Sequence, residues 1–126
     1  MIYIDTNIFI YLFEGHNLYG EKVVESLEAY KLQNKQLVTS AITVTEFLTG
    51  TIKSKLMTLH QLSDLSILPL DENIAEQAAI LQRENNIKIG DSIHLATALQ
   101  AKAESFYTND KELSKIVAKY IPITSI

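Results

Sequence analysis

Cysteine is absent from the chain, which excludes disulfides and thiolate metal sites. Tryptophan is absent too, and proline occurs only at Pro69 and Pro122. With so little punctuation, no linker, repeat or low-complexity tract stands out. Positive charge rests almost wholly on lysine, since Arg83 is the one arginine. No apolar run approaches the roughly 20 residues that span a bilayer, so no membrane partner is expected. The N-terminus has no basic stretch followed by an apolar one, so no signal peptide is expected and cytoplasmic residence is the default. What is present suits one core. Hydrophobic residues make up 47% of 126 positions, and a single domain over residues 1–126 is expected. The net charge of −4 argues against a partner that is a polyanion, unless the acids are gathered in one place.

Short apolar runs alternate with helical patterns. Ile2, Tyr3 and Ile4 read as a buried strand, and "IFIYLF" starts a short helix. Val23, Leu27 and Tyr30 form a stripe that predicts a helix over roughly Tyr19–Lys31. "QLVTS" predicts a second strand, Thr43 to about Thr51 a helix, and Leu56, Leu59 and Leu62 mark another. "SILPL" is a third strand, with Pro69 at an edge or strand end. Asp71 caps a helix whose apolar face carries Ile74, Ala78 and Leu81. After the loop "NNIKIG", "DSIHLATALQAKA" is apolar or small on most sides and reads as a buried helix. "SFYT", "DKELSKIVAKY" and "IPITSI" add a strand, a helix and a final strand. This alternation predicts an α/β fold, a mainly parallel sheet between two helical layers. Ligands of such sheets bind beyond the carboxyl ends of the strands, where strand order reverses.

Four acids occupy positions of that kind. Asp5 ends the first strand, Glu46 lies on the first turn after "QLVTS", Asp91 opens the buried helix, and Asp110 follows "SFYT". If they meet, they raise one another's pKa unless a cation neutralises them. An all-oxygen donor set favours Mg²⁺ or Mn²⁺ over Zn²⁺. Each acid also has a purely structural reading. Asp91 and Asp110 are good helix N-caps, Thr43-x-x-Glu46 matches a capping box, and Asp5-Thr6-Asn7 fits a turn. Capping does not explain why Asp5 ends a buried strand, where a bare charge is costly.

Four segments, "IYIDTNIFIYLF", "TSAITVTEFLTG", "IGDSIHLATAL" and "FYTNDKEL", resemble the signature segments of the PIN-domain family, in its order and spacing. The small size resembles the VapC-type toxins of toxin–antitoxin pairs. The resemblance implies a three-layer α/β/α fold with a five-stranded sheet. It implies a Mg²⁺- or Mn²⁺-dependent ribonuclease acting on single-stranded or looped RNA, a homodimer and a partner antitoxin. The family's acids carry over to Asp5, Glu46, Asp91 and Asp110, and Asn7 and Thr108 match flanking polar positions. Leu113 stands where an aromatic is common, and Glu112 where Asp or His often stands; Glu112 reads as a solvated helix residue.

On that implication Asp5 and Asp91 are direct metal ligands and Asp110 a ligand directly or through water. Glu46 acts through water or orients the attacking water. Thr6, Asn7 and Thr108 hold carboxylates or waters in place. The four acids account for the whole net charge of −4, so the rest of the chain is neutral. Lys53, Lys55, Lys88 and Lys111 lie near the motif acids and are candidate phosphate contacts, with ordinary solvated lysines as the competing reading. Tyr11, Phe13 and Tyr19 are candidates for base stacking or for packing. His94 has no histidine close in sequence and reads as packing or surface rather than a ligand. A dehalogenase-type phosphatase would need Asp where Asn7 stands, and a receiver domain a second early acid. The remaining alternative is a PIN-like module that binds RNA or protein without cleavage; four filled acidic positions favour an enzyme.

Overall fold

The computed structural model describes residues 1–50, 59, 62 and 64–126. β1 (Ile2–Ile4) is the central strand, paired in parallel with β2 (Leu37–Ser40) on one side and β4 (Ser105–Tyr107) on the other. β3 (Leu65–Leu68) lies outside β2 and β5 (Ile123–Thr124) outside β4, so the five-stranded sheet runs β3-β2-β1-β4-β5. Pro69 stands just past an edge strand, where its missing N–H costs no ladder bond.

The strand pleat divides the core in two. Tyr3, Val38 and Phe106 share a register row and point to one face. Ile2, Ile4, Leu37 and Tyr107 point to the other. The second face is covered by α1 (Thr6–Glu14), α2 (Gly20–Leu32) and α3 (Ala41–Gly50), which contribute Ile8, Phe9, Val23 and Phe47. The first is covered by α4 (Glu72–Asn85), α5 (Ile89–Gln100) and α6 (Lys111–Val117), which contribute Ile74, Ala78, Leu81, Ile93, Leu113 and Val117. Handedness explains the division. The chain steps outward from β1 to β3, then doubles back past β1 to β4, and a right-handed crossover in the reversed direction lands on the opposite face.

The expected three-layer α/β/α architecture is what the chain forms. Asp71 caps α4 by accepting from the Ile74 N–H at 2.8 Å. α5 is buried without interruption from Ser92 to Ala98, so it is a core helix rather than an amphipathic one. The helix expected around Leu56 falls outside the described residues, as do Lys53 and Lys55; Leu59 is buried in the second core. Among the described residues no helix is long and apolar enough to cross a membrane.

Candidate active site

Strand order reverses between β1 and β4, and the carboxyl ends of these strands mark the crevice position where such sheets bind ligands. Asp5 follows β1 directly, at 6% exposure. Its charge is met by a set of donors. The Thr6 N–H donates to Oδ1 at 2.8 Å, and the Thr108 hydroxyl donates to Oδ2 at 2.6 Å. Asn7 Nδ2 lies 3.4 Å from the same Oδ2, and His94 Nε2 lies 3.5 Å from Oδ1. Thr108 Oγ1 also accepts the Asp110 N–H at 3.0 Å, which ties the ends of β1 and β4 together. Asp110 caps α6, accepting from the Leu113 N–H at 3.0 Å.

Glu46 reaches the same crevice from α3. Its Oε1 accepts from the Thr6 hydroxyl at 2.7 Å and from His94 Nε2 at 2.6 Å. The capping-box reading is therefore corrected. α3 begins at Ala41, which puts Glu46 in its second turn, and the Thr43 hydroxyl packs 2.7 Å from Thr39 Oγ1 instead of capping. Glu46 Oε2 has no partner among the described residues, and a Cβ at position 90 would stand only 3.2 Å from it. Gly90 thus lets the first turn of α5 come close to the carboxylate.

Asp91 lies in that first turn. It is not the N-cap either, because Lys88 holds that position without a side-chain bond. Asp91 and Asp110 line one groove with Lys88 and Lys115. Burial, and then the charges of Asp5 and Asp110, push the Asp91 carboxyl above the usual carboxylate value. That repulsion is what clustered carboxylates feel without a counter-ion. Among the described residues no three His, Asp or Glu side chains already close on one point as a finished metal site. The donor chemistry nevertheless fits a hard divalent cation: carboxylate oxygens, no sulfur, and mutual repulsion that a cation would relieve.

His94, read from the sequence as packing or surface, is packed in the core, and its hydrogen bonds are what the sequence did not show. It is 1% exposed, yet it is no inert filler. Nε2 donates to Glu46, and Nδ1 lies 2.6 Å from the Tyr3 hydroxyl, which donates to it when the ring is neutral. Burial lowers the imidazole pKa, but the bond to Glu46 and the charges of Asp5, Glu46 and Asp91 outweigh it and raise the pKa above the usual value. Conversely, partial burial raises the Glu46 pKa, while the bond and charge of His94 and the Thr6 hydroxyl bring it below the usual value. A sequence signal existed: His94 sits three residues after Asp91, one helical turn along a segment with almost no polar face.

The other candidates separate. Lys88 borders the groove with Asp91, and Lys111 lines a neighbouring groove with Thr108. Lys115, which sequence reasoning did not single out, borders the acidic groove and lies 3.6 Å from Glu112 on the exposed side of α6. Phe13 packs edge-on against Phe47 in the core. Tyr11 is tied down by the Asn109 amide, which donates to its hydroxyl at 3.2 Å. Tyr19 stacks on His16 and remains at the surface of a groove.

The PIN-domain family profile matches residues 2–119. Among solved structures, a toxin–antitoxin complex from Klebsiella pneumoniae is 30% identical, with a TM-score of 0.76, covering 98% of this chain and 96% of that one. FitAcB from Neisseria gonorrhoeae is 26% identical, with a TM-score of 0.66 over 98% of this chain and 96% of that one. VapBC2 from Rickettsia felis, solved bound to a fragment of its promoter DNA, shares the fold at 24% identity, with a TM-score of 0.75 over 100% of this chain and 99% of that one. No curated protein sequence matches closely enough to add to these.

Proposed function

The chain belongs to the PIN-domain family, and from that membership we propose that it is a Mg²⁺- or Mn²⁺-dependent endoribonuclease, the toxin of a toxin–antitoxin pair. The observation that carries this reading is the meeting of Asp5, Asp91 and Asp110 where strand order reverses, close enough that the Asp91 carboxyl, already raised by burial, is raised further by the charges of the other two. The 30% identity to a chain of the Klebsiella toxin–antitoxin complex supports the toxin role and an antitoxin partner; the homodimer is part of the proposal.

Asp5, Asp91 and Asp110 are the residues to hold the cation. When bound, it would acidify water and neutralise a non-bridging phosphate oxygen. The chain's own groups do the positioning. Thr6 and His94 fix Glu46 through Oε1 and leave Oε2 to orient a water. The lowered pKa of Glu46 keeps it ionised for that purpose. Thr108 and Asn7 aim the Asp5 carboxylate, and Lys88 and Lys115 border the groove along which a phosphate chain would run.

The test is cleavage of single-stranded RNA by the purified chain. Cleavage should require Mg²⁺ or Mn²⁺, stop with chelator, and fall in Glu46→Gln by a factor on the order of 10². Cation binding with every RNA left intact would identify a non-catalytic module instead.

A further inference from the structure

A groove of about 350 Å³ lies beside the acidic crevice, bordered by Tyr19, Thr108, Asn109, Lys111, Ile123 and Ser125 among others. It shares a wall with the candidate site. Thr108 donates to Asp5 on one side, and the next residue, Asn109, faces the groove on the other. The lining is mixed in a particular way. Ile123 and the Tyr19 ring supply apolar and π surface, Asn109 and Ser125 supply hydrogen-bonding groups, and Lys111 supplies a cation with no ion pair among the described residues.

The Tyr19 ring is held in advance. His16 Nδ1 accepts from the Leu18 and Tyr19 N–H groups at 3.1 and 3.0 Å, which closes the turn before α2. The His16 ring then stacks on Tyr19 with centroids 4.9 Å apart and planes 12° apart, and Tyr11 leans on Tyr19 at 5.2 Å. Two rings therefore brace a half-buried tyrosine at the mouth of the groove. Asn109 is fixed too: its N–H lies 3.4 Å from Asn7 Oδ1, and its amide donates to Tyr11, which leaves Oδ1 free among the described residues.

We propose that this groove is a nucleobase subsite, in which Tyr19 stacks on the base of a nucleotide flanking the cleaved phosphate, Asn109 reads its edge and Lys111 contacts the adjoining phosphate. A braced aromatic face, an adjacent amide and a lysine are the three elements of single-strand recognition. The volume lies in the range of small-ligand sites, roughly 300–1,000 Å³. The proposal rests on the ribonuclease reading and deepens it: the crevice supplies chemistry, and this groove supplies sequence preference.

The experiment measures kcat/KM on short single-stranded RNAs that carry one abasic position, moved stepwise across the cleavage point. Tyr19→Ala should lower kcat/KM on intact RNA by about 10- to 100-fold, mainly through KM. One abasic position next to the cleaved bond should cost the wild type a similar factor, and Tyr19→Ala should lose nothing more on that substrate. Tyr19→Phe should restore the rate, since it keeps the ring. Asn109→Ala should flatten the preference for one base at that position. If the wild type leaves all RNA intact, the ribonuclease reading and the subsite fall together. If the wild type cleaves RNA and Tyr19→Ala matches it in rate and base preference, the subsite alone falls, whether the groove is idle or takes a protein segment.

Discussion

Asp91→Asn should lose RNA cleavage while the metal-free protein becomes more stable. Asp91 carries a carboxyl raised above its ordinary 3.8 by burial and by the charges of Asp5 and Asp110. An acid raised on folding opposes folding. In the absence of cation, stability falls as pH rises from 3.8 through the raised value, and stays lower at neutral pH. Asparagine removes that loss at little cost in volume, so the variant should melt above the wild type at pH 7 in chelator. The gap should narrow with added salt, because the group is partly exposed. Added Mg²⁺ should then raise the melting temperature of the wild type more than that of the variant. Several kcal/mol of transition-state charge stabilisation is at stake, so cleavage should fall on the order of 10³-fold. Melting curves with and without Mg²⁺, beside RNA cleavage, check both halves. A variant that is less stable without metal would make Asp91 a structural residue. Asp5 is the wrong place for this test. Thr108 uses its hydroxyl hydrogen on Asp5 Oδ2 while its oxygen accepts from Asp110, so an amide nitrogen there would meet a donor.

His94→Ala should be the most damaging single change at the site that removes no acid. It takes the 2.6 Å partner from the buried Tyr3 hydroxyl, which is left with Thr39 and the Ser40 backbone, takes a donor from Glu46, and leaves a cavity in a helix with no exposed side over that stretch. The lost hydrogen bond of a buried hydroxyl and the cavity together cost about 2–4 kcal/mol. Tyr3→Phe in the same chain should not add its full cost, since the two residues share one hydrogen bond. The imidazole also leaves a pH signature. Its raised pKa contributes stability that is complete below 6.5 and is lost as pH rises through the raised value. The lowered pKa of Glu46 contributes stability that is complete above 4.5 and is lost as pH falls through the lowered value. The stability advantage of wild type over His94→Ala should therefore be widest between those limits. Urea titrations across pH 4–9 read it (chosen to span both values on the ordinary scale). A loss under about 0.5 kcal/mol with full cleavage would make His94 a filler, as surface substitutions are.

The fold was legible because local signals agreed with one another. All-buried strands, the Asp71 cap and the Ile74–Ala78–Leu81 stripe each describe their own neighbourhood, and alternation of strand and helix does the rest. Three of the four acids stand where the sequence put them, Asp5 and Asp110 just past strands and Asp91 in the first turn of a helix, while Glu46 lies in a second turn. Their partners were not legible. Thr43 and Glu46 have capping-box spacing, but helix α3 starts two residues before Thr43, so local chemistry gave way to the contact with Thr6 across the crevice. His94 stayed hidden for a related reason. Its partners Tyr3 and Glu46 are 91 and 48 residues away, and no local pattern reports a pairing of that range. Glu112 was read correctly as a solvated residue because exposure on a short amphipathic helix is a local property.

A cation should be held where β1, α5 and the end of β4 meet. The most direct measurement is anomalous diffraction from a crystal soaked in Mn²⁺. The expected result is a strong peak between the carboxylates of Asp5, Asp91 and Asp110, at ligand distances of roughly 2.0–2.2 Å from at least one oxygen. Glu46 should still be bonded to His94 and Thr6. A crystal saturated with Mn²⁺ that shows no peak among these three aspartates, or one only elsewhere on the surface, would contradict it.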